Sequence, residues 1–194
     1  MNQRLSNPLD ARAMRSRNAM REALLYLIKS KTLDQITIQN ITDRAKVSYP
    51  TFFRQFSSKE GLLDDIAQAE IRELLALTLP LFNCNQQKKA LQLLCGYIDK
   101  NRPLWTSLLT AGASGAMREE FMRIAGDIGK VRDEANIRAN PWMPVDLLRT
   151  FIVAGMFEIL AWWLQQPKDY PIENVILLLD VLVVRPTMEP QSLK

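Results

Sequence analysis

Between Thr37 and Lys59 the chain reads TIQNITDRAKVSYPTFFRQFSSK, and its side chains suit contact with a DNA groove. Gln39 carries a carboxamide that can pair bidentately with adenine, while Pro50 and Thr51 can offer apolar contact to a thymine methyl. Tyr49 is a less common reader of bases. Such side chains act together only if a helix presents them. Ile38, Ile41 and Ala45 form an apolar stripe on one short helix, with Thr37 placed as its N-cap. Ala45-Lys46-Val47 breaks the period, and Ser48 is placed to cap a second helix through Pro50, Thr51, Phe52, Phe53 and Gln55. Pro50 falls in the first turn, where its missing amide would have no helical partner. Phe52 and Phe56, four apart, anchor that helix, leaving Tyr49, Pro50, Thr51, Phe53 and Gln55 to look elsewhere. The pattern predicts a helix-turn-helix, a motif whose second helix lies in the major groove.

Other chemistries have no foothold. The 194 residues include no histidine, which removes histidine-dependent triads and the usual zinc sets. Cys84 and Cys95 fit no metal spacing and suit a reducing cytoplasm. No glycine-rich phosphate loop is present, and no enzyme activity, metal or cofactor is expected. The N-terminus lacks the apolar core of a signal peptide. The apolar run from Phe151 to Leu164 is short for a bilayer and contains Glu158, so no membrane association is expected.

Charge is unevenly distributed. Residues 1–60 hold eleven Lys or Arg against five Asp or Glu, a net of +6, whereas residues 61–194 hold fourteen against sixteen, a net of −2. A basic head on a mildly acidic body is the electrostatic footprint of nucleic-acid binding. Arg4, Arg12, Arg15 and Arg17 suit a flexible arm that touches phosphates or the minor groove, or a solubilising tail.

The helical period dominates elsewhere. A first helix is predicted over about 11–30, with Met20, Leu24, Leu27 and Ile28 buried. A fourth opens at Ser57-Ser58-Lys59-Glu60, with Ser57 and Glu60 as a capping box, and stops at Pro80. Further helices are expected over 86–101, from Pro103, and over 114–139. The last carries a stripe of Met117, Phe121, Ile124, Ile128, Val131 and Ala135, with Glu119–Arg123 and Glu134–Arg138 pairs. Two very apolar helices follow, about 145–166 and 172–184. In the first, Leu148, Phe151, Ile152, Gly155, Ile159, Trp162 and Trp163 form one face. A helix apolar all round must be covered all round. Twofold packing against a second copy would cover it, as would a central place in a monomer's core.

The set Thr37-x-x-x-Ile41, then Ala45-Lys46-Val47-Ser48-x-Pro50-Thr51-Phe52-Phe53-x-Gln55-Phe56-x-x-Lys59-Glu60-x-Leu62, resembles the N-terminal domain of TetR/AcrR-type transcriptional regulators. The match covers about a quarter of the chain. It departs at Lys46, where the family usually has a glycine with left-handed backbone, at a cost of ~1 kcal/mol. It also departs at Phe53, usually tyrosine, and at Gln55, usually histidine or tyrosine. Phe53 cannot give the phenolic hydrogen bond to phosphate, whereas Gln55 can supply one. The resemblance implies phosphate contacts from Thr37, Lys59 and Gln55, and places Gln39, Ser48, Tyr49, Pro50 and Thr51 near base edges. It implies an all-α architecture: a three-helix DNA-binding domain over 1–58, with a basic arm over 1–11, then a helical ligand-binding and dimerisation domain over 59–194. It further implies a cytoplasmic homodimeric regulator that binds double-stranded DNA, joined through the last two helices and holding a hydrophobic small-molecule effector. Candidate lining residues are Tyr97, Trp105, Leu108, Leu109, Met117, Phe121, Met122, Phe157 and Trp162, although such stripes are also ordinary core. The alternatives are an architectural or protein-partner regulator with no small ligand, and a helical interaction module whose head no longer binds DNA.

Overall fold

The computed structural model describes residues 8–83, 86–110, 115–124 and 144–188, and these are helical with short connections. The chain divides into two compact units, Met1–Ile66 and Ala67–Lys194. The all-α expectation holds in both.

In the first unit α1 (Pro8–Leu27) packs on α2 (Ile38–Ala45), and α2 on α3 (Tyr49–Phe53). A 3-10 turn, Leu33–Gln35, precedes α2, and α4 (Lys59–Asn83) follows α3. Met20, Leu24, Ile36, Ile41, Phe52, Leu62 and Ile66 are buried together with Phe56 as the core. Burial of each such side chain contributes roughly 1.5–3 kcal/mol. α1 begins and ends three residues before its predicted bounds, because Pro8 supplies the φ of a first helical turn. The predicted arm therefore needs correction: Arg12, Arg15 and Arg17 lie on α1, and Arg4 is outside the described residues. Arg17 is further fixed by an ion pair with Asp65.

Two boundaries of α4 also differ from expectation. Its cap is Ser58, not Ser57, since the Ser58 hydroxyl accepts from the Gly61 amide at 3.0 Å. It also continues through Pro80 to Asn83. Ala76, whose carbonyl loses its amide partner to Pro80, is exposed, as is Pro80, so water can serve that carbonyl.

The second unit contains α5 (Gln87–Lys100), α6 (Arg102–Thr110), the helical residues 115–124 as α7, and α8 (Val145–Leu164). α9 (Ile172–Leu179) passes through a π-helical turn, Asp180–Val184, into α10 (Arg185–Met188). α5 packs on α6 and α9, and α8 on α6, α9 and the π turn. Ile128, Val131, Ala135 and the Glu134–Arg138 pair lie outside the described residues. Arg123 pairs with Glu120 at 2.8 Å, a buried carboxylate that also receives Arg72. The two guanidiniums hold Glu120 down to a pKa of about 2.

α8 extends the apolar run from Phe151 to Leu164 towards the N-terminus, and its most apolar stretch, of mean hydropathy 1.6, is long enough to cross a membrane by length and composition alone. It buries Leu148, Val153, Met156, Phe157, Leu160, Trp163 and Leu164 within the chain. Phe151 and Trp162, assigned to the same face as Leu148 and Trp163, are exposed instead. A Cβ on Gly155 would meet Val183 Cγ2 at 2.9 Å, so the absent side chain allows α8 and the π turn to approach.

Candidate nucleic-acid interface

The turn between α2 and α3 is built from ordinary helix-end chemistry. The Thr37 hydroxyl accepts from the Asn40 amide at 3.1 Å, and Asn40 Oδ1 accepts from the Thr37 amide at 3.2 Å. This is a reciprocal cap in which asparagine replaces the usual glutamate. α2 closes at Lys46, whose φ of 54° and ψ of 41° are left-handed, as the departure from glycine implied. Lys46 N–H donates to Asp43 O and Val47 N–H to Thr42 O, at 3.3 and 3.1 Å. Those bonds satisfy two terminal carbonyls of α2 and reverse the chain.

Ser48 then precedes α3, but its hydroxyl pairs with Thr51 Oγ1 at 2.8 Å and caps no backbone amide. Arg54 donates to the same Thr51 oxygen at 2.9 Å. Phe52 is fully buried and Phe56 nearly so, while Tyr49 and Phe53 stand about half exposed with ring centroids 5.1 Å apart. Ser48 and Pro50 are exposed and Thr51 is half-buried. α3 is thus anchored by two phenylalanines and turns its other side outward.

The remaining predicted contacts already have partners within the head. Gln39 donates to Asp43 Oδ1 at 2.5 Å. Gln55 Nε2 donates to Ala13 O at 3.1 Å and Ser16 Oγ at 2.6 Å, tying α3 to α1. Lys59 Nζ donates to Leu33 O at 2.8 Å and Ile36 O at 3.0 Å, closing the 3-10 turn ahead of Thr37. These three side chains hold the interface in shape, which their sequence positions did not disclose. Sequence reasoning also passed over a cleft of about 620 Å³ between α1 and α3, where Arg12, Lys46 and Arg54 meet Ser16, Ser48 and Thr51. The signal available was Arg54, three residues from Thr51 on the same helical face.

The predicted effector residues fall into separate groups. Trp105, Leu108, Leu109, Met117 and Phe157 are buried, and Phe121 and Met122 are half-buried. Tyr97 packs edge-on to Trp105 at 6.2 Å and donates to Glu70 at 2.9 Å; burial and that carboxylate raise its pKa. Phe121 packs edge-on to Phe157 at 6.3 Å. Trp162 lies outside both groups, exposed and packed on Tyr170 at 5.4 Å. The indole N–H of Trp105 is buried without a hydrogen-bond partner, and so is that of Trp163. A body groove of about 440 Å³, lined by Lys88, Leu91, Gln92, Glu173, Leu177 and Arg185 among others, involves none of the predicted residues. Glu158 is exposed and meets Arg118 at 2.8 Å.

Residues 22–66 match the family model for bacterial regulatory proteins of the tetR family. No curated protein matches the chain. Among solved structures, a TetR transcriptional regulator from Streptococcus agalactiae 2603V is similar with a TM-score of 0.61 and 20% identity, covering 90% of this chain and 96% of that one. A TetR-family transcriptional regulator from Syntrophomonas wolfei gives a TM-score of 0.66 and 17% identity over 88% and 96% of the two chains. FadR, a repressor from Thermus thermophilus in complex with lauroyl-CoA, gives 0.61 and 14% over 92% and 98%.

Proposed function

We propose that this chain, a TetR-type transcriptional regulator by its matched head and its fold, acts as a homodimeric repressor of an approximately palindromic operator. One observation carries the DNA-reading part. α3 is fixed by buried Phe52 and Phe56 and offers Tyr49, Pro50, Thr51 and Phe53 outward, on a head of net charge +6. An exposed aromatic and small polar face with no packing task is suited to base edges and thymine methyls, and the surrounding cations to phosphates. Thr37, Gln39, Ser48, Gln55 and Lys59 join this surface in our reading. Of these, Gln39, Gln55 and Lys59 serve as much to hold its geometry as to touch DNA.

Dimerisation is supported by the apolar residues that α8, α9 and the π turn leave outside: Leu147, Phe151, Trp162, Leu177, Val181 and Leu182 are all exposed. An apolar surface of that kind is suited to twofold packing with a second copy. Two heads would then read half-sites about one helical turn, or a multiple of it, apart.

For an effector, the body offers the buried aromatic and apolar residues Trp105, Leu108, Leu109, Met117 and Phe157, the kind of lining that apolar ligand sites use. The complex of FadR with lauroyl-CoA supports the capacity of such a fold for apolar ligands. The proposed location is the cytoplasm, where the chain's DNA would be met.

Selection of fragments from genomic DNA by the purified protein, sequenced and repeated across a salt series, tests the reading. A recovered palindrome is the expected result. Binding without sequence preference that collapses with salt would favour the architectural alternative. No binding at low salt would overturn regulation by DNA contact.

A further inference from the structure

The cleft between α1 and α3 shares Ser48, Thr51 and Gln55 with the base-reading surface, but its cations have no part in that reading. Three cations from three separate places in the chain border it: Arg12 on α1, Lys46 in the turn and Arg54 beyond α3. Arg12, Lys46 and Arg54 are all exposed, so burial of an ion pair does not explain them. Ser16, Ser48 and Thr51 also line the cleft, and two of these form a chain with Arg54: Ser48 to Thr51 at 2.8 Å and Arg54 to Thr51 at 2.9 Å. Arg54 is therefore held against Thr51 by one nitrogen of its guanidinium, a group with five donors. Gln55, which also lines the cleft, bonds to Ala13 and Ser16.

Exposed cations bordering one cleft suit the tetrahedral oxygens of a phosphate, and a planar guanidinium adds a bidentate option. Lys46 is informative here. A lysine occupies a left-handed position at which glycine would be free of strain, and that backbone directs it beside the cleft. Phe53, meanwhile, has no hydroxyl to offer a phosphate.

We propose that Arg12, Lys46 and Arg54 form a phosphodiester-binding cleft that grips one strand of the DNA backbone beside α3, replacing the contact that Phe53 cannot make. The proposal rests on the DNA-binding reading above. It shares none of its cations with the contacts implied for Thr37, Gln55 and Lys59. A row of phosphates borders the major groove on either side of any helix lying in it, and the cleft adjoins α3 through Ser48 and Thr51. Its ligand carries no sequence information, so the cleft sets register and affinity while Tyr49 and Thr51 set specificity.

The test is the salt dependence of binding to a random-sequence duplex. Each phosphate neutralised contributes about 0.9 to the slope of log affinity against log salt. The R12Q/K46G/R54Q variant is expected to lose about 1–2 from that slope. A charge-matched K89Q/K100Q/K168Q variant, altered only in the body, is expected to keep the whole slope. R12Q alone, at an exposed position of α1, should lose about 0.9 and covers the case in which the triple variant is misfolded. An unchanged slope in R12Q and in a folded triple variant would overturn the cleft while leaving DNA binding intact. Absence of duplex binding by the unaltered chain would instead overturn the DNA-binding reading. Inorganic phosphate added at constant ionic strength separates the two sources of phosphate. Phosphate binding that requires the three cations yet leaves duplex affinity and its salt slope unchanged would assign the cleft to a free anion and overturn the strand contact.

Discussion

Lys46 is, among the described residues, the one non-glycine with a positive φ, and it lies between the two helices that must be held at a fixed angle. Left-handed backbone costs a side-chain-bearing residue on the order of 1 kcal/mol. Lys46→Gly should therefore raise the thermal midpoint, with a gain of about 0.5–1 kcal/mol after allowance for the freer unfolded chain. The same variant should bind duplex DNA more weakly. A thermal melt and a binding isotherm on one sample check both signs, and a fall in midpoint would refute the strain argument. Tyr49 and Thr51 have the complementary behaviour, since neither lies in the buried core. Replacing both with alanine should leave the melt nearly unchanged and reduce discrimination by about 1–3 kcal/mol for each base pair they read. Weak, salt-sensitive binding should survive. Equal loss of specific and non-specific affinity in that variant would mean that these side chains position the head and do not read bases.

At the scale of elements, what the sequence disclosed depended on whether a signal was local. Capping residues, Pro50 and the Phe52–Phe56 spacing are local, and α2, the turn and the start of α3 stand where those signals put them, although Ser48 makes no side-chain cap and α3 ends at Phe53, short of the predicted Gln55. The interior helix bounds were less legible. Whether Pro80 ends α4 depends on whether water can reach the Ala76 carbonyl, and which serine caps α4 shifts by one residue without changing the pattern. Lys59 reaches Leu33, Gln55 reaches Ala13 and Glu120 receives Arg72, all across 26 or more residues of chain, so spacing says nothing of these pairs. Close packing is equally silent in sequence: Gly155 reads as an apolar filler, yet Val183 stands where its Cβ would be. Gly155→Ala should cost about 1–3 kcal/mol in chemical denaturation, because β-branched Val183 has few rotamers into which to retreat. No loss of stability would mean that α8 and the π turn separate freely.

Glu120 makes the body's stability depend on acid. Its folded pKa, about 2, lies below the ordinary 4.5, so the ion pairs with Arg72 and Arg123 stabilise the body fully above pH 4.5. That contribution is lost as pH falls from 4.5 towards 2, because the unfolded state takes up the proton first. The two arginines are more than half exposed, so screening reduces the effect to about 1–2 kcal/mol. Glu120→Gln should flatten the stability profile over that window, as followed by denaturant unfolding at stepped pH. A profile identical to that of the unaltered chain would mean that the pairs are worth nothing in solution.

For the whole molecule, the proposed twofold packing would couple the outward apolar side chains to the proposed DNA-reading surface through symmetry. A palindrome is read by two heads, and the second head contributes affinity only while two bodies stay joined. Leu177 is 56% exposed and Phe151 51%, values that a monomer gains nothing from maintaining. Charged replacements at these positions leave the buried side of α8 and α9 untouched, since Val175, Leu179, Val153 and Phe157 carry that packing. The F151E/L177E variant should therefore fold, sediment as a monomer, and bind a palindromic operator at least tenfold more weakly, the avidity expected of joined sites being about 10²–10⁴. Its affinity for a single half-site should match that of the unaltered chain. A variant that remains dimeric would move the interface elsewhere on the body. A monomeric variant with undiminished palindrome binding would break the link between twofold packing and recognition, and each head would then act alone.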